Sequence, residues 1–455
     1  MTITTPIIPI KQTFVGDRQT PDYKAICVFA GLGFFLDDDT YFTEQKVLKP
    51  ATEYRLQAGK IISGKPWFQW HYTPVERPMG KIVEEFAALF EEIVDEQTAN
   101  HKVILPLSGG LDSRTQAAAL KHLNKTVSAY SYAFKGGHDE TRYAQKIAQT
   151  CGFPFQGWEV PQGYLWKVIN ELAKINGCYT EFTQPRQMAF SGNYKLLGDV
   201  FSLGHWGDVL FDDMGVDDHL SLEQQVGVLL NKMVKKGGRE LAIALWNQWG
   251  LKGDFDEYLF DRLKTLLKNV NIPESANAQI RAFKSLYWAP RWTSVNLTVF
   301  ENERPITLPY YDNRMCEFIC SVPEKYLSGR QVQIDYLKMR NPELAKIPWQ
   351  SQRPFNLYNY HLNKLPYNLP YRVVDKAKRS LKPAKHIQRN WELQFLGVDN
   401  ERELLERLLN NQKMNAVIPK DITERFYEKF KNEDAVYYSH SVSMLLTLSQ
   451  FYKNA

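Results

Sequence analysis

The stretch Val103-Ile-Leu-Pro-Leu-Ser108-Gly109-Gly110-Leu111-Asp112-Ser113-Arg114 constrains the fold more than any other part of the chain. A short apolar run fits a buried strand, Ser-Gly-Gly breaks it, and Thr115-Gln-Ala-Ala-Ala-Leu120 starts a helix. Together these make a place to hold phosphate. The glycines let backbone N–H groups crowd an anion, and the helix dipole favours negative charge there. Ser108 and Ser113 add hydroxyl donors. Asp112 fits an anion site when a cation stands between it and the phosphates, as Mg²⁺ usually does. No Gly-Lys-Ser/Thr closes the loop, so it is not a Walker A sequence. A Gly-Gly turn alone is common between strand and helix whatever is bound.

A β/α alternation surrounds this stretch. Pro78 to Asn100 reads as an amphipathic helix, with Ile82, Phe86, Leu89, Phe90, Ile93 and Val94 on one stripe. Glu84, Glu85, Glu91, Glu92 and Asp95 are expected on the solvated face. Thr126 to Phe134 reads as a second strand, followed by a turn at Lys135-Gly-Gly-His138. A helix then opens at Asp139-Glu140 and runs to Cys151-Gly152. Strand, loop, helix, repeated, predicts a parallel sheet with ligands at the carboxyl ends of its strands. A second chemical stretch, Val200-Phe-Ser-Leu203-Gly204-His205-Trp206-Gly207-Asp208, again leaves an apolar strand through glycines and meets a carboxylate. Upstream, residues 1–20 read as a loose arm. Ala25 to Tyr72 reads as short strands, with Ile26-Cys-Val-Phe-Ala30, Glu53–Leu56 and Trp67–Tyr72 as the runs and Gly59-Lys60 and Ser63–Pro66 as turns.

With 455 residues, 44% of them hydrophobic, the chain is expected to fold as two domains with little disorder. A net charge of +5 predicts no nucleic-acid partner by itself. The basic run from Lys376 to Arg389 is read as a solvated face, with RNA binding as the alternative. Five cysteines without a CxxC pair point to reduced thiols and no zinc site. The absence of a long apolar run or a signal pattern leads us to expect a soluble, cytoplasmic protein that does not engage membranes.

The Ser108–Ser113 loop resembles the PP-loop of the N-type ATP pyrophosphatases, and with Arg114 following it looks most like the asparagine synthetase family. The resemblance implies an α/β PP-loop domain over residues 78–455, a parallel sheet with flanking helices and a mostly helical later part. Gly33–Phe42 and Leu48–Thr52 resemble the end of that family's glutaminase domain, which makes residues 1–77 a small β remnant. A glutaminase of this kind needs a cysteine exposed at its N-terminus, and here the first is Cys27. Ammonia from a separate source, or an amine, is therefore the expected nucleophile.

By the same resemblance, Leu107, Ser108, Gly109, Gly110, Leu111, Asp112, Ser113, Ser131, Tyr132 and Gly204 would bind ATP, and Asp112 and Asp208 would hold Mg²⁺. The family's Asp-Glu pair matches Asp139-Glu140, although acids in a first helical turn are favoured regardless. Where the family has an acid that helps the amine attack, this chain has His205, read either as a general base or as packing against Trp206. Asp312 matches the last aspartate of a substrate-side string. The family's phosphate-stabilising lysine has no clean counterpart: Arg330 or Lys338 would supply the charge, or both simply belong to a surface helix. The implied reaction is amide formation from a small-molecule or peptide carboxylate through an acyl-adenylate. A tRNA-modifying PP-loop enzyme and a catalytically degenerate ATP-binding protein are the alternatives.

Overall fold

Apolar runs too short for a helical period become the strands of a five-stranded parallel sheet. The computed structural model describes residues 1–137, 141–374 and 387–454. Five short strands come first: β1 (Thr2–Thr4), β2 (Phe14–Val15), β3 (Lys46–Val47), β4 (Thr52–Gln57) and β5 (Lys60–Pro66). The main sheet follows with β6 (Val103–Pro106), β7 (Val127–Phe134), β8 (Phe155–Val160), β9 (Val200–Ser202) and β10 (Ile306–Thr307). Its order is β10-β9-β6-β7-β8, with every neighbouring pair parallel. Ile104 of β6 stands opposite Ser128 on one side and Phe201 on the other. Val103, Ile104 and Leu105 are fully buried, as a central parallel strand covered on both faces requires. The chain moves from β6 to β7 and β8 in one direction, then returns past β6 to β9. The carboxyl ends of β6 and β9 therefore border a crevice at a switch point.

Helices α1 (Tyr23–Leu32), α2 (Met79–Gln97), α3 (Asp112–His122), α4 (Thr141–Cys151) and α5 (Tyr164–Asn176) precede or connect the strands, and most residues beyond β9 are helical. The apolar stripe of α2 lies in the core as expected, with Leu89 half-buried. Glu91 departs from its expected solvated place. It is buried, and Arg340 donates to both its oxygens at 2.6 and 2.9 Å while the Tyr336 hydroxyl donates at 3.0 Å. A second helix, Gln331–Arg340, covers this side of α2 and brings the partners that make burial tolerable.

The N-terminal region differs most from the sequence reading. Ile26–Ala30 is the middle of α1, not a strand, and every residue from Ala25 to Leu32 is buried. A helix surrounded by core loses its periodicity, so its apolar run looks like a strand. The punctuation is nevertheless helical: Asp22 accepts the Ala25 N–H at 3.0 Å, and left-handed Gly33 closes the C-terminus. Residues 1–20 are not loose. β1 pairs with β4, β2 pairs with β3, and Ile7 and Ile8 are buried. Lys60 and Ser63–Pro66, read as parts of turns, belong to β5, whereas Phe68–Tyr72 is irregular.

α1 packs against the helices Gly238–Gln248 and Ala435–Asn454. His440 Nε2–H donates to the Ala30 carbonyl at 3.0 Å. Arg291 donates to the carbonyls of Phe35 and Asp39. Among the described residues no helix is long and apolar enough to cross a membrane.

Candidate functional site

The loop between β6 and α3 is held by its own hydroxyls and by a distant segment. Ser108 N–H donates to Ser113 Oγ at 3.1 Å, and Gly110 N–H donates to Ser108 Oγ at 3.2 Å. Gly109 N–H donates to Gln350 Oε1 at 3.1 Å. A Cβ on Gly109 would meet Gln350 atoms at 2.6 Å, so this contact demands glycine. Arg114 anchors the loop from behind. Fully buried, its guanidinium donates to the carbonyls of Gly109, Leu344, Ile347 and Pro348 at 2.9–3.3 Å. No carboxylate pairs with it among the described residues, and burial alone pushes it down to about 10. Arg114→Met should cost about 3 kcal/mol, because the Ile347 and Pro348 carbonyls lose their donor and those of Gly109 and Leu344 keep only the N–H groups of Gln350 and Ile347, read as a lower midpoint in thermal or urea unfolding. Arg114→Lys should recover only part, because an ammonium lacks the planar fork.

The opposing wall is the segment after β9. Trp206 adopts a left-handed conformation at φ 80°, and its indole N–H donates to Ser285 Oγ at 3.0 Å. This turn brings Gly207 against Asp112: a Cβ there would lie 2.3 Å from Asp112 Oδ1 and 2.8 Å from the Tyr310 ring. Gly204 is nearly as close, with Ser113 N at 3.1 Å from its would-be Cβ. Two glycines thus let the β9 segment approach the head of α3. Asp208 follows on a short helix, Gly207–Leu210.

Between these walls lies a cavity of about 650 Å³, lined among others by Leu107, Ser108, Asp112, Ser113, Ser131, Tyr132, Gly204, His205 and Asp208. An adjoining chamber of about 440 Å³ takes Gly110, Leu111, Asp112, Asp208 and Arg330 into its walls. Gly109 faces neither space and sits behind the loop on Gln350. Lys338 also lies elsewhere, 3.1 Å from Asp335 on its own helix and over the Tyr358 ring. Asp312 caps the helix Asn313–Cys320 and pairs with Arg314. Asp139, Glu140 and the basic residues 376–386 fall outside the described residues.

Charges in the two spaces are tightly opposed. Burial pushes the Asp112 carboxyl up to about 6 despite Arg330, and Asp208's charge adds to the rise. Arg330 pairs directly with Asp112, and Gln333 donates to the same oxygen at 3.1 Å. Lys284, which the sequence reading missed, lines both spaces, and burial lowers it to about 8 against the opposing pull of Asp208. It begins a π-helical stretch, Lys284–Thr293, that contains Pro290. Such widened turns recur at functional sites, and the only trace in the sequence is a proline inside an aromatic-rich helical run. His205 is pushed down to about 4 by burial, so its imidazole is neutral near pH 7. Its Nδ1 is buried without a partner among the described residues, and its recorded ring contact is Phe300, not Trp206.

Four carboxylates line the smaller chamber, Asp112, Asp208, Asp212 and Asp213, and of these the pair Asp112 and Asp208 also borders the larger cavity and is the candidate donor set for a cation. No group of three or more metal-ligating side chains occurs among the described residues. Hard oxygens in that number suit Mg²⁺, which commonly completes its shell with water and substrate phosphates.

Residues 85–333, more than half of the chain, match the family described as asparagine synthase. Over 157 residues the chain is 24% identical to asparagine synthetase (glutamine-hydrolyzing) 1 of Bacillus subtilis (strain 168). That stretch covers 34% of this chain and 24% of the relative, about a quarter of its length. Among solved structures, NMN synthetase from Francisella tularensis is similar over 46% of this chain and 92% of that one. The identity is 12% and the TM-score 0.22, too loose a superposition to carry an argument.

Proposed function

This chain belongs to the asparagine synthase family, and from that premise we propose that it is an ATP-dependent, AMP-forming ligase joining a carboxylate to ammonia or an amine. One observation carries the reading. Asp112 and Asp208, at the carboxyl ends of neighbouring strands, converge on one chamber beside a glycine-rich helix N-terminus and the cation of Lys284.

In the first step a carboxylate oxygen of the substrate attacks the α-phosphorus of ATP, and the bond to pyrophosphate breaks. Ser108 Oγ holds the N–H of Gly110 until a phosphate oxygen replaces it as acceptor, while Gln350 Oε1 keeps Gly109 in place behind the loop. Lys284 and Arg330 offset the charge gathering on the leaving pyrophosphate. Mg²⁺ held by Asp112 and Asp208 would supply further charge neutralisation at the phosphates. In the second step the amine attacks the acyl carbon, AMP departs, and the amine's surplus proton passes to solvent. His205 borders the cavity as a neutral imidazole and orients the amine by hydrogen bonding; at about 4 it is too weak a base to hold the proton.

All five cysteines are buried, and burial pushes the Cys27 thiol of α1 far up, so none suits a thiolate glutaminase. Free ammonia or a substrate amine is the nucleophile. Reduced thiols and ATP use support a cytoplasmic setting. The deciding experiment incubates the protein with Mg²⁺-ATP, a panel of carboxylates, and ammonia or hydroxylamine. AMP and pyrophosphate should appear in equal amounts with the right acid. Their absence with every acid would refute the ligase.

A further inference from the structure

A third chamber, of about 340 Å³, adjoins the nucleotide cavity, and the two share Arg186 and Trp292 as walls. It is built from parts of the chain far apart in sequence: Glu181, Lys235 and Ser443 meet there at the outer end of β7. Its volume equals that of about ten water molecules, so it receives a sizeable group. Its charges are out of balance. Lys235 and Arg186 face it with no acidic side chain in ion-pair range among the described residues, and Arg389 stands at its rim. Arg186 lies over the Phe134 ring, 5.5 Å from its centre, and Lys235 over that of Trp288 at 5.9 Å.

The chamber's one carboxylate among the described residues, Glu181, is 5% exposed and already engaged. Its Oε2 accepts from the Thr183 N–H and hydroxyl, both at 2.7 Å, and from the Ser443 hydroxyl at 2.5 Å. No described residue donates to Oε1. Burial lowers Lys235, and Glu181 restores only part of the loss, as expected for an ammonium short of a counter-charge.

We propose that this chamber holds a second anionic group of the carboxylate substrate, a carboxylate or phosphate, bound by Lys235 and Arg186 while Glu181 Oε1 accepts from a neighbouring hydroxyl or amine. The acid joined here is then a polar polyanion with roughly ten atoms beyond its reacting carboxyl. This rests on the adenylating role of the first cavity.

The test is calorimetric titration of the full chain with citrate and with inorganic phosphate, with and without Mg²⁺ and α,β-methylene-ATP. At least one anion should bind saturably with the nucleotide analogue in place, and the tighter of the two identifies the group. Lys235→Met should weaken anion binding at least tenfold and leave analogue binding unchanged. Glu181→Gln removes the opposing charge and should tighten the anion severalfold, an effect of the opposite sign to general damage. This second variant decides the matter if Lys235→Met does not fold. The proposal is overturned if neither anion binds, if binding vanishes once the analogue is present, or if Glu181→Gln leaves it equal or weaker. Failure of the analogue itself to bind would refute the adenylation reading, and anion binding to the nucleotide-free protein would still decide the chamber.

Discussion

Pyrophosphate release falls about a thousandfold in Asp112→Asn, and by a similar factor in Asp208→Asn, if the two carboxylates act on the phosphates. The substitutions keep shape and remove charge, so lost packing does not explain the effect. Their stability consequences should nevertheless differ. Asp208 is exposed, and its loss should leave the unfolding midpoint unchanged. Asp112 pairs with Arg330, a largely buried cation, and removing the anion strands that charge, so this variant also loses stability. Rates within tenfold of wild type in either variant would refute the shared role. Steady-state pyrophosphate release alongside a thermal melt separates the two effects.

Gly207→Ala should lower turnover about a hundredfold and stability by about 1–3 kcal/mol. Its new methyl would fall 2.3 Å from Asp112 Oδ1 and 2.8 Å from Tyr310 Cζ. Neither neighbour can yield. Gln333 Nε2 donates to Asp112 Oδ1 at 3.1 Å and to the Tyr310 hydroxyl at 2.8 Å, and Tyr310 is fully buried. The clash therefore shifts the Asp112 carboxylate or opens the β9 segment, and a displacement near 1 Å is enough for such a loss. Gly227→Ala, where a methyl meets nothing within 4 Å, is the matched control and should keep wild-type turnover. Normal activity in Gly207→Ala would show that the approach of the two segments is not needed.

The parts of the fold that could be read from residue order are those where local chemistry and burial agree. β6 and α3 are one continuous text, with an apolar run, glycines and a helix start in sequence, and Asp208 follows β9 in the same manner. α1 escaped because complete burial erases the alternation of polar and apolar faces that marks a helix. Glu91 escaped for a related reason: its spacing on α2 says which way it points but not that Arg340 and Tyr336 wait there. Lys284, Glu181 and Lys235 carry no local signal. They matter only because segments far apart in sequence meet at the sheet's carboxyl edge.

The contact between α1 and the last helix bears on how small this protein can be made. A fragment cut to residues 85–333, the family-matching stretch, would leave Arg291 in place but remove the carbonyls of Phe35 and Asp39 that it serves. It would also strip away Ser443, Gln350, and the Leu344–Pro348 carbonyls that anchor Arg114. The glycine-rich loop would survive as text while losing the braces that shape it. Anyone transplanting this candidate site into another scaffold must carry both ends of the chain along with its middle.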